Sequence, residues 1–220
     1  FRRADYDWII CDTIGNLVKK QSRHLPEFKA NWGGNNGIYN FANRLFYYNS
    51  FTDTVFSVLP DFTEKPSFMI SPGKHRYPRS NISMKQFMSN NYLDIARIIE
   101  TNRFYIVRYR YKQSYLALID KDSHKSFLIN LKFGNNNYND GIENDIDGGH
   151  FLIPGYYFTE NFREYIVGLI YPRQIKTRVA SKEFKELTPL YPEKKKELEK
   201  LANSLKDTDN PVLMLVRLKQ

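Results

Sequence analysis

The sequence predicts an all-β protein: a propeller-like array of about four antiparallel blade units, with a C-terminal helix and a closing C-terminal strand. Aromatic residues make up 15% of the 220 residues, and aromatic side chains favour strands. Short apolar segments recur between clusters of Gly, Asn, Asp and Pro, which mark turns. Two pairs of predicted strand residues have nearly the same separation, which indicates a repeat. Phe46 lies about sixty residues before Tyr105, and Val55 lies about sixty residues before Leu116. A β-sandwich is the alternative architecture.

Composition limits the function classes. The chain has 33 basic and 24 acidic residues, a net charge of +9. Because acidic residues are interleaved with the basic ones, we interpret the charge as solvated strand faces and do not expect a nucleic-acid partner. A single cysteine, Cys11, excludes an intrachain disulfide and a thiolate metal site. No apolar run approaches the ~18 residues of a membrane-spanning helix.

The first half of the chain predicts a hairpin and then a complete blade. Residues 6–20 give two strands around a tight turn at Gly15-Asn16, since both residue types tolerate positive φ. A polar Gly/Asn loop occupies residues 21–37. The first full blade has its middle hairpin within Asn40–Pro60. Its four strands are Ile38–Phe41, residues 44–49, residues 54–59 and residues 66–71, with Pro66 at the first position of an edge strand.

A short helix over Ser83–Asn90 separates this blade from the next. The second blade is predicted from Tyr92–Glu100, Phe104–Lys112, Tyr115–Asp120 and Ser126–Leu131. Residues 104–112 alternate between tyrosines with Val107 on one face and Ile106, Arg108, Arg110 and Lys112 on the other. Residues 121–124 form the turn between the last two strands.

The C-terminal third begins with a second polar loop, residues 132–150. Three strands are predicted after it: Phe151–Ile153, Tyr156–Phe158 and Glu164–Tyr171. A basic, proline-containing connection leads to a helix over Pro192–Leu205, whose leucines repeat at helical spacing. The last strand, residues 211–218, is apolar on both faces, as in a strand inside a stack. We expect it to pair with the strand at Trp8–Cys11.

The acidic part of the second polar loop is the candidate metal site. Asp140, Glu143, Asn144, Asp145 and Asp147 offer the hard oxygen ligands that Ca²⁺ takes. Their spacing departs from the helix-loop-helix calcium pattern, and Asn and Asp are also what tight turns use. Calcium is therefore the one cofactor that the sequence leaves open.

Other candidate ligand-binding residues lie near this loop and on one strand. His150, together with Asp145 and Asp147, could act as an acid or base if the loop covers a pocket. Tyr156 could offer a stacking surface for a sugar ring, although core packing explains it equally well. Arg108 and Arg110 form a basic stripe that could bind phosphate or an acidic glycan, and a solvated outer strand is the simpler interpretation.

Several segments resemble the six-bladed β-propeller proteins of Bacteroides-type bacteria, which include putative lipoproteins. The segments are D-T-V-F at Asp53–Phe56 with D-T-I at Asp12–Ile14, K-P-x-F-x-I-x-x-G-K at Lys65–Lys74, N-D-I-D-G-G at Asn144–Gly149, and D-N-P-V-L-M-L-V-R-L-K at Asp209–Lys219. These proteins are longer, so the resemblance implies that the chain corresponds to the C-terminal part of a ring. It also implies a cell-envelope location, in the periplasm or at the outer membrane, with the membrane reached only through a removed lipoprotein-type signal.

We therefore expect a non-catalytic binding module of the cell envelope, with a glycan or a protein as its partner. The sequence contains no nucleophile elbow, phosphate-binding loop or dinucleotide motif. The alternative is a glycan-active hydrolase or lyase that uses carboxylates and His150 at the propeller channel, because glycoside hydrolysis needs only two carboxylates brought together in space.

Overall fold

The computed structural model describes residues 6–22, 36–49, 51–78, 83–89, 91–131 and 140–219. These residues form two compact units, one of Phe1–Glu100 with Val107–Lys112 and one of Thr101–Ile106 with Gln113–Gln220. The described sheets are antiparallel and follow one another along the chain, so the all-β prediction is confirmed, with a small helical part. Most of the predicted loop at residues 21–37, residues 132–139 of the second loop, and Asn90 lie outside the described residues.

The chain begins with the predicted hairpin, strands β1 (Tyr6–Cys11) and β2 (Leu17–Ser22). The carboxylate of Asp12 organises the turn, because its Oδ1 accepts the backbone N–H groups of Ile14 (3.0 Å) and Asn16 (2.8 Å). These bonds hold the pKa of Asp12 below its usual value.

The second sheet consists of β3 (Asn36–Phe41), β4 (Arg44–Asn49), β5 (Thr54–Val58) and β6 (Glu64–Met69), paired in chain order. Phe46 and Val55 are each 1% exposed and form its core face. Strand β6 begins two residues earlier than predicted, so Pro66 lies inside the strand. It is tolerated there because β6 is an edge strand and a register shift lies opposite it, between Val55 and Phe56.

The third sheet follows helix α1 (Met84–Ser89), where the hydroxyl of Ser83 accepts the backbone N–H of Gln86 over 3.2 Å. Its strands are β7 (Asp94–Glu100), β8 (Phe104–Tyr111), β9 (Gln113–Asp120) and β10 (Ser126–Leu131), in the order β10-β9-β8-β7. The four predicted strands are thus present, and each strand end agrees with the prediction to within about two residues.

The fourth sheet has three strands, β11 (Tyr156–Glu160), β12 (Arg163–Ile170) and β13 (Val212–Arg217), in that order. The prediction of a strand at Phe151–Ile153 is wrong. Only an isolated bridge joins Leu152 to Ile142, because Pro154 cannot donate the next ladder hydrogen bond.

Three helices connect β12 to β13: α2 (Pro172–Ala180), α3 (Lys182–Glu186) and α4 (Pro192–Ser204). Helix α4 was predicted, whereas no helix was predicted in the basic, proline-containing connection before it. Pro172 at the first turn of α2 and Ser181, whose hydroxyl accepts the N–H of Phe184 over 3.2 Å at the start of α3, explain the two additional helices. Within the described ranges, no helix has the length and apolar character needed to cross a bilayer.

Strand β13 closes the fourth sheet, but its partner differs from the one predicted. It pairs with β12, from Ile170↔Val212 to Tyr165↔Arg217, while β1 pairs with β2 in a separate sheet. The three helices return the chain antiparallel to the open edge of β12, which supplies a nearby partner. Strand β13 is also not buried on both faces, since Leu213 and Leu215 are 59% and 57% exposed.

Candidate ligand-binding cavity

The segment from Asn144 to His150 is a compact loop closed at its base by the bridge between Ile142 and Leu152. Both backbone N–H groups of that bridge donate across it at 2.8 Å. Inside the loop, Oδ1 of Asn144 accepts the N–H of Ile146 (3.2 Å), and its Nδ2 donates to Oδ1 of Asp147 (2.7 Å). The N-D-I-D-G-G run is therefore a turn that satisfies its own polar groups.

Helices α2 and α4 and the residues between them hold this loop in place. The N–H groups of Leu190 and Tyr191 donate to the carbonyl oxygens of Asp145 (2.9 Å) and Ile146 (3.0 Å). A Cβ atom at Gly149 would lie 2.7 Å from Cδ2 of Leu198 and 2.8 Å from Oδ1 of Asp147, so a larger residue would require these side chains to shift.

A cavity of about 170 Å³ lies under the loop, between the helices and the fourth sheet. Its lining includes both polar and apolar residues. The polar ones are Asn144, Asp147, His150 and Arg178, with Gly149 beside them. The apolar ones are Ile170, Ile175, Leu198, Leu201, Val212, Leu213 and Met214. Such a combination of a few polar groups and an apolar wall is typical of small-molecule sites.

His150 is 7% exposed, and its Nδ1 lies 2.8 Å from the carbonyl oxygen of Phe151. Because a carbonyl oxygen can only accept, Nδ1 carries the proton and Nε2 of the neutral ring is an acceptor. Burial lowers the pKa of His150. The nearby charge of Arg178 acts in the same direction, while the bond to Phe151 and the charge of Asp140 oppose it.

Arg178 is 6% exposed, although arginine remains charged at any physiological pH. Its Nε donates to the carbonyl oxygen of Gly148 over 2.9 Å. Among the residues that the structure describes, no acidic side chain pairs with it and no further hydrogen bond satisfies its terminal nitrogens. The sequence prediction missed this residue. A sequence pattern could have indicated that Arg178 is buried. Ile175 and Val179 follow Pro172 at helical spacing, so Arg178 lies on the helix face that packs against the core.

Three of the predicted site residues, Asn144, Asp147 and His150, line the same cavity. Asp140 is buried at 9% exposure and acts on His150 through its charge. Glu143 and Asp145 are exposed instead. In the described part of the chain, no three His, Cys, Asp or Glu side chains are placed to share a metal ion. The calcium site at Asp140, Glu143, Asp145 and Asp147 stays a prediction without a converging ligand set.

Tyr156 lies on the opposite face of the fourth sheet from the cavity. It pairs with Val167, which in turn pairs with Leu215, whereas the cavity residues Ile170 and Val212 pair with each other on the alternate face. Tyr156 is 58% exposed. A sugar stacked on Tyr156 would therefore occupy a surface separate from the cavity.

The basic stripe on β8 is engaged within its own unit. Nη2 of Arg110 lies 3.0 Å from Oδ2 of Asp94, whose side chain is buried. Arg108 is partly buried, and burial together with the neighbouring charge of Arg97 lowers its pKa. Because Arg110 compensates a buried carboxylate, this stripe has an evident structural role.

The fold and the cavity define a class: a mainly antiparallel β protein whose last sheet carries a helical layer over a small polar-apolar pocket. The chain belongs to the family named domain of unknown function DUF4934, whose model matches residues 2–217. No curated protein sequence matches it. Among solved structures, it is similar to one named "Putative exported protein" from Bacteroides fragilis, with 17% identity and a TM-score of 0.59. The match covers 98% of this chain and 58% of that one, so the chain spans little more than half of the similar protein.

Proposed function

We propose that this protein is a non-catalytic binding module of the cell envelope, of the β-propeller type, and that its ligand enters the cavity beneath the Asn144–His150 loop. One observation carries the proposal: a buried arginine without an acidic partner lines an otherwise largely apolar cavity of about 170 Å³. A charge with so little access to water is stabilised by an anionic partner, and a ligand can supply one.

The propeller type and the cell-envelope location are supported by different observations. The second and third sheets are four-stranded antiparallel sheets formed by consecutive strands, which is how propeller blades are built. The name of the similar Bacteroides fragilis protein supports export, and the Bacteroides-type sequence segments support attachment through a lipoprotein-type signal.

An enzymatic role is favoured by one feature, the presence of both His150 and Asp147 in the cavity. Glycoside hydrolysis, however, uses two carboxyl groups about 5–10 Å apart. Asp147 is the one carboxylate that lines this cavity in the described residues, and Asn144 and Gly149 already donate to its Oδ1 at 2.7 and 2.8 Å. The arrangement suits binding better than acid-base catalysis.

The experiment compares the native protein with a variant whose cavity is filled, Leu201→Phe. Both are incubated with panels of oligosaccharides and short peptides, and the unfolding midpoint and any new products are measured by scanning fluorimetry and mass spectrometry. The control is Lys200→Phe, which places the same ring on the exposed face of α4.

We expect at least one ligand to raise the unfolding midpoint of the native protein and of the control, but not of Leu201→Phe, because ligands stabilise the state that binds them. Product formation would show a hydrolase or lyase instead. If every ligand acts equally on native protein and Leu201→Phe, the cavity is not the binding site.

A further inference from the structure

We infer that the cavity binds a small carboxylate with an apolar body, and that Arg178 receives the carboxylate. This inference rests on the proposed function, because it names the ligand class of the same cavity. The chemistry is shared by two sources, a free short-chain carboxylic acid and the C-terminal residue of a peptide.

The positive charge of Arg178 indicates that the ligand carries a negative charge. Its guanidinium presents five N–H donors in a planar fork, and only Nε has a partner in the described residues, the carbonyl oxygen of Gly148. The remaining donors match the two oxygens of a carboxylate, which arginine binds through paired hydrogen bonds. Arg178 is 6% exposed and is one of the residues that line the cavity.

The other polar groups of the cavity do not replace that partner. Asp147 accepts from Asn144 and Gly149 rather than from Arg178. His150 donates through Nδ1 to Phe151 and, as a neutral ring, adds no positive charge that would compete for the carboxylate. Arg178 is therefore the one cationic side chain among the lining residues.

The size and wall of the cavity define the body of the ligand. A cavity of ~150 Å³ lined by aliphatic side chains accommodates a benzene-sized molecule, and this cavity has about 170 Å³. Its apolar wall is formed by residues of β12, β13, α2 and α4. An aliphatic group of roughly four to six carbon atoms fits this wall better than a sugar ring, whose hydroxyls would find few partners there.

The test measures binding of four probes by isothermal titration calorimetry. Hexanoate and its neutral analogue hexanamide represent the free acid, while N-acetyl-leucine and N-acetyl-leucinamide represent a peptide terminus. The variants are Arg178→Met, which keeps an apolar side chain of similar length, and Leu201→Phe, which fills the cavity and leaves Arg178 unchanged. Circular dichroism confirms that each variant is folded.

We expect at least one acid to bind the native protein about tenfold or more tightly than its amide, since a charge-assisted pair is lost with the amide. Arg178→Met is expected to remove this preference and Leu201→Phe to remove binding. The acid that binds more tightly identifies the source. Should Arg178→Met fail to fold, the acid-to-amide ratio of the native protein, with its loss in Leu201→Phe, still decides the inference.

Equal binding of acid and amide, blocked by Leu201→Phe, would overturn the carboxylate inference and leave the cavity as a binding site. Failure of both acids to bind the native protein would also overturn it. In that case the panel of oligosaccharides and peptides described above tests the proposed function separately.

Discussion

Nε of Arg178 on helix α2 donates to the carbonyl oxygen of Gly148 over 2.9 Å, so one buried cation fixes the loop that covers the cavity. The loop reaches this position through Gly148, whose φ of +74° lies in the left-handed region. Through this hydrogen bond, the left-handed conformation of Gly148 and the position of the Arg178 guanidinium depend on each other.

Gly148→Ala should reduce the free energy of unfolding by about 1–2 kcal/mol, because a Cβ is disfavoured at positive φ. The new Cβ would also lie 2.6 Å from Cδ2 of Leu187, a flexible side chain that can move aside. Urea titration provides the measurement. Gly148→Asn serves as the control, since asparagine tolerates this conformation, and an equal loss in both variants would contradict the backbone argument.

The stability of the native protein should decrease as the pH falls below about 6.5, partly through His150. Burial lowers the pKa of His150 in the folded protein, so below its ordinary value the unfolded chain binds the proton more readily than the folded one. His150→Asn retains a donor for the carbonyl oxygen of Phe151 and removes the titration. Urea titrations at pH 7.5 and 5.5 should show a smaller pH dependence for this variant.

The control for His150 is His124→Asn, which changes an exposed histidine at positive φ. This control should keep the pH dependence of the native protein. If His150→Asn behaves like the control, the titration of His150 does not contribute to stability.

Asp120 should contribute stability at neutral pH that is lost in acid. Its carboxylate accepts the N–H of Ser123 (2.9 Å) and a bond from Nε of Arg103 (2.8 Å), and these interactions lower the pKa of Asp120 to about 2. Because the folded-state pKa is depressed, this stability is present above pH ~4 and disappears as the pH falls towards 2. Asp120→Asn should therefore be less stable than the native protein at pH 7.

The measurement for Asp120 is the difference in unfolding free energy between native protein and variant from pH 7 down to pH 2.5. The difference should shrink steadily over the acid range. Asp122→Asn, at an exposed position of the same turn, is expected to show little difference at any pH. A constant penalty for Asp120→Asn would mean that its charge is not the cause.

Tyr157→Phe should destabilise the fourth sheet by about 1 kcal/mol. The hydroxyl of Tyr157 donates to Oε1 of Glu164 over 2.7 Å, and the side chain of Glu164 is buried. Without the hydroxyl, the N–H of Asn102, also at 2.7 Å, remains a donor to that oxygen. Thermal unfolding provides the measurement, with the exposed Tyr191→Phe as a matched control that should lie close to the native protein.

The strands could be predicted from the sequence because alternation and turn residues act locally. The Asp12–Asn16 turn and the hairpin around Asp120 follow from residues that bond to their own neighbours. The partner of β13 could not be predicted in this way. Pairing depends on which sheet edge lies nearby, and helices α2 and α3, which bring the chain back to β12, were not recognised.

The candidate site was predicted only in part. His150 and Asp147 stood out as polar residues in a loop, and both line the cavity. Arg178 was missed because, in sequence, a basic residue in a basic segment looks like a solvated one. Its significance comes from burial and from the lack of an acidic partner in the described residues, and both are properties of the packed structure.

The walls of the cavity come from four stretches of chain, and the last of them, Val212, Leu213 and Met214 in β13, completes the wall. During synthesis these residues leave the ribosome after the loop and helix α2, so the cavity is complete only once β13 pairs with β12. If the cavity binds a ligand as proposed, binding would require β13 to be in place. Proteolytic cleavage between α4 and β13, followed by loss of the strand, would therefore remove part of the cavity wall.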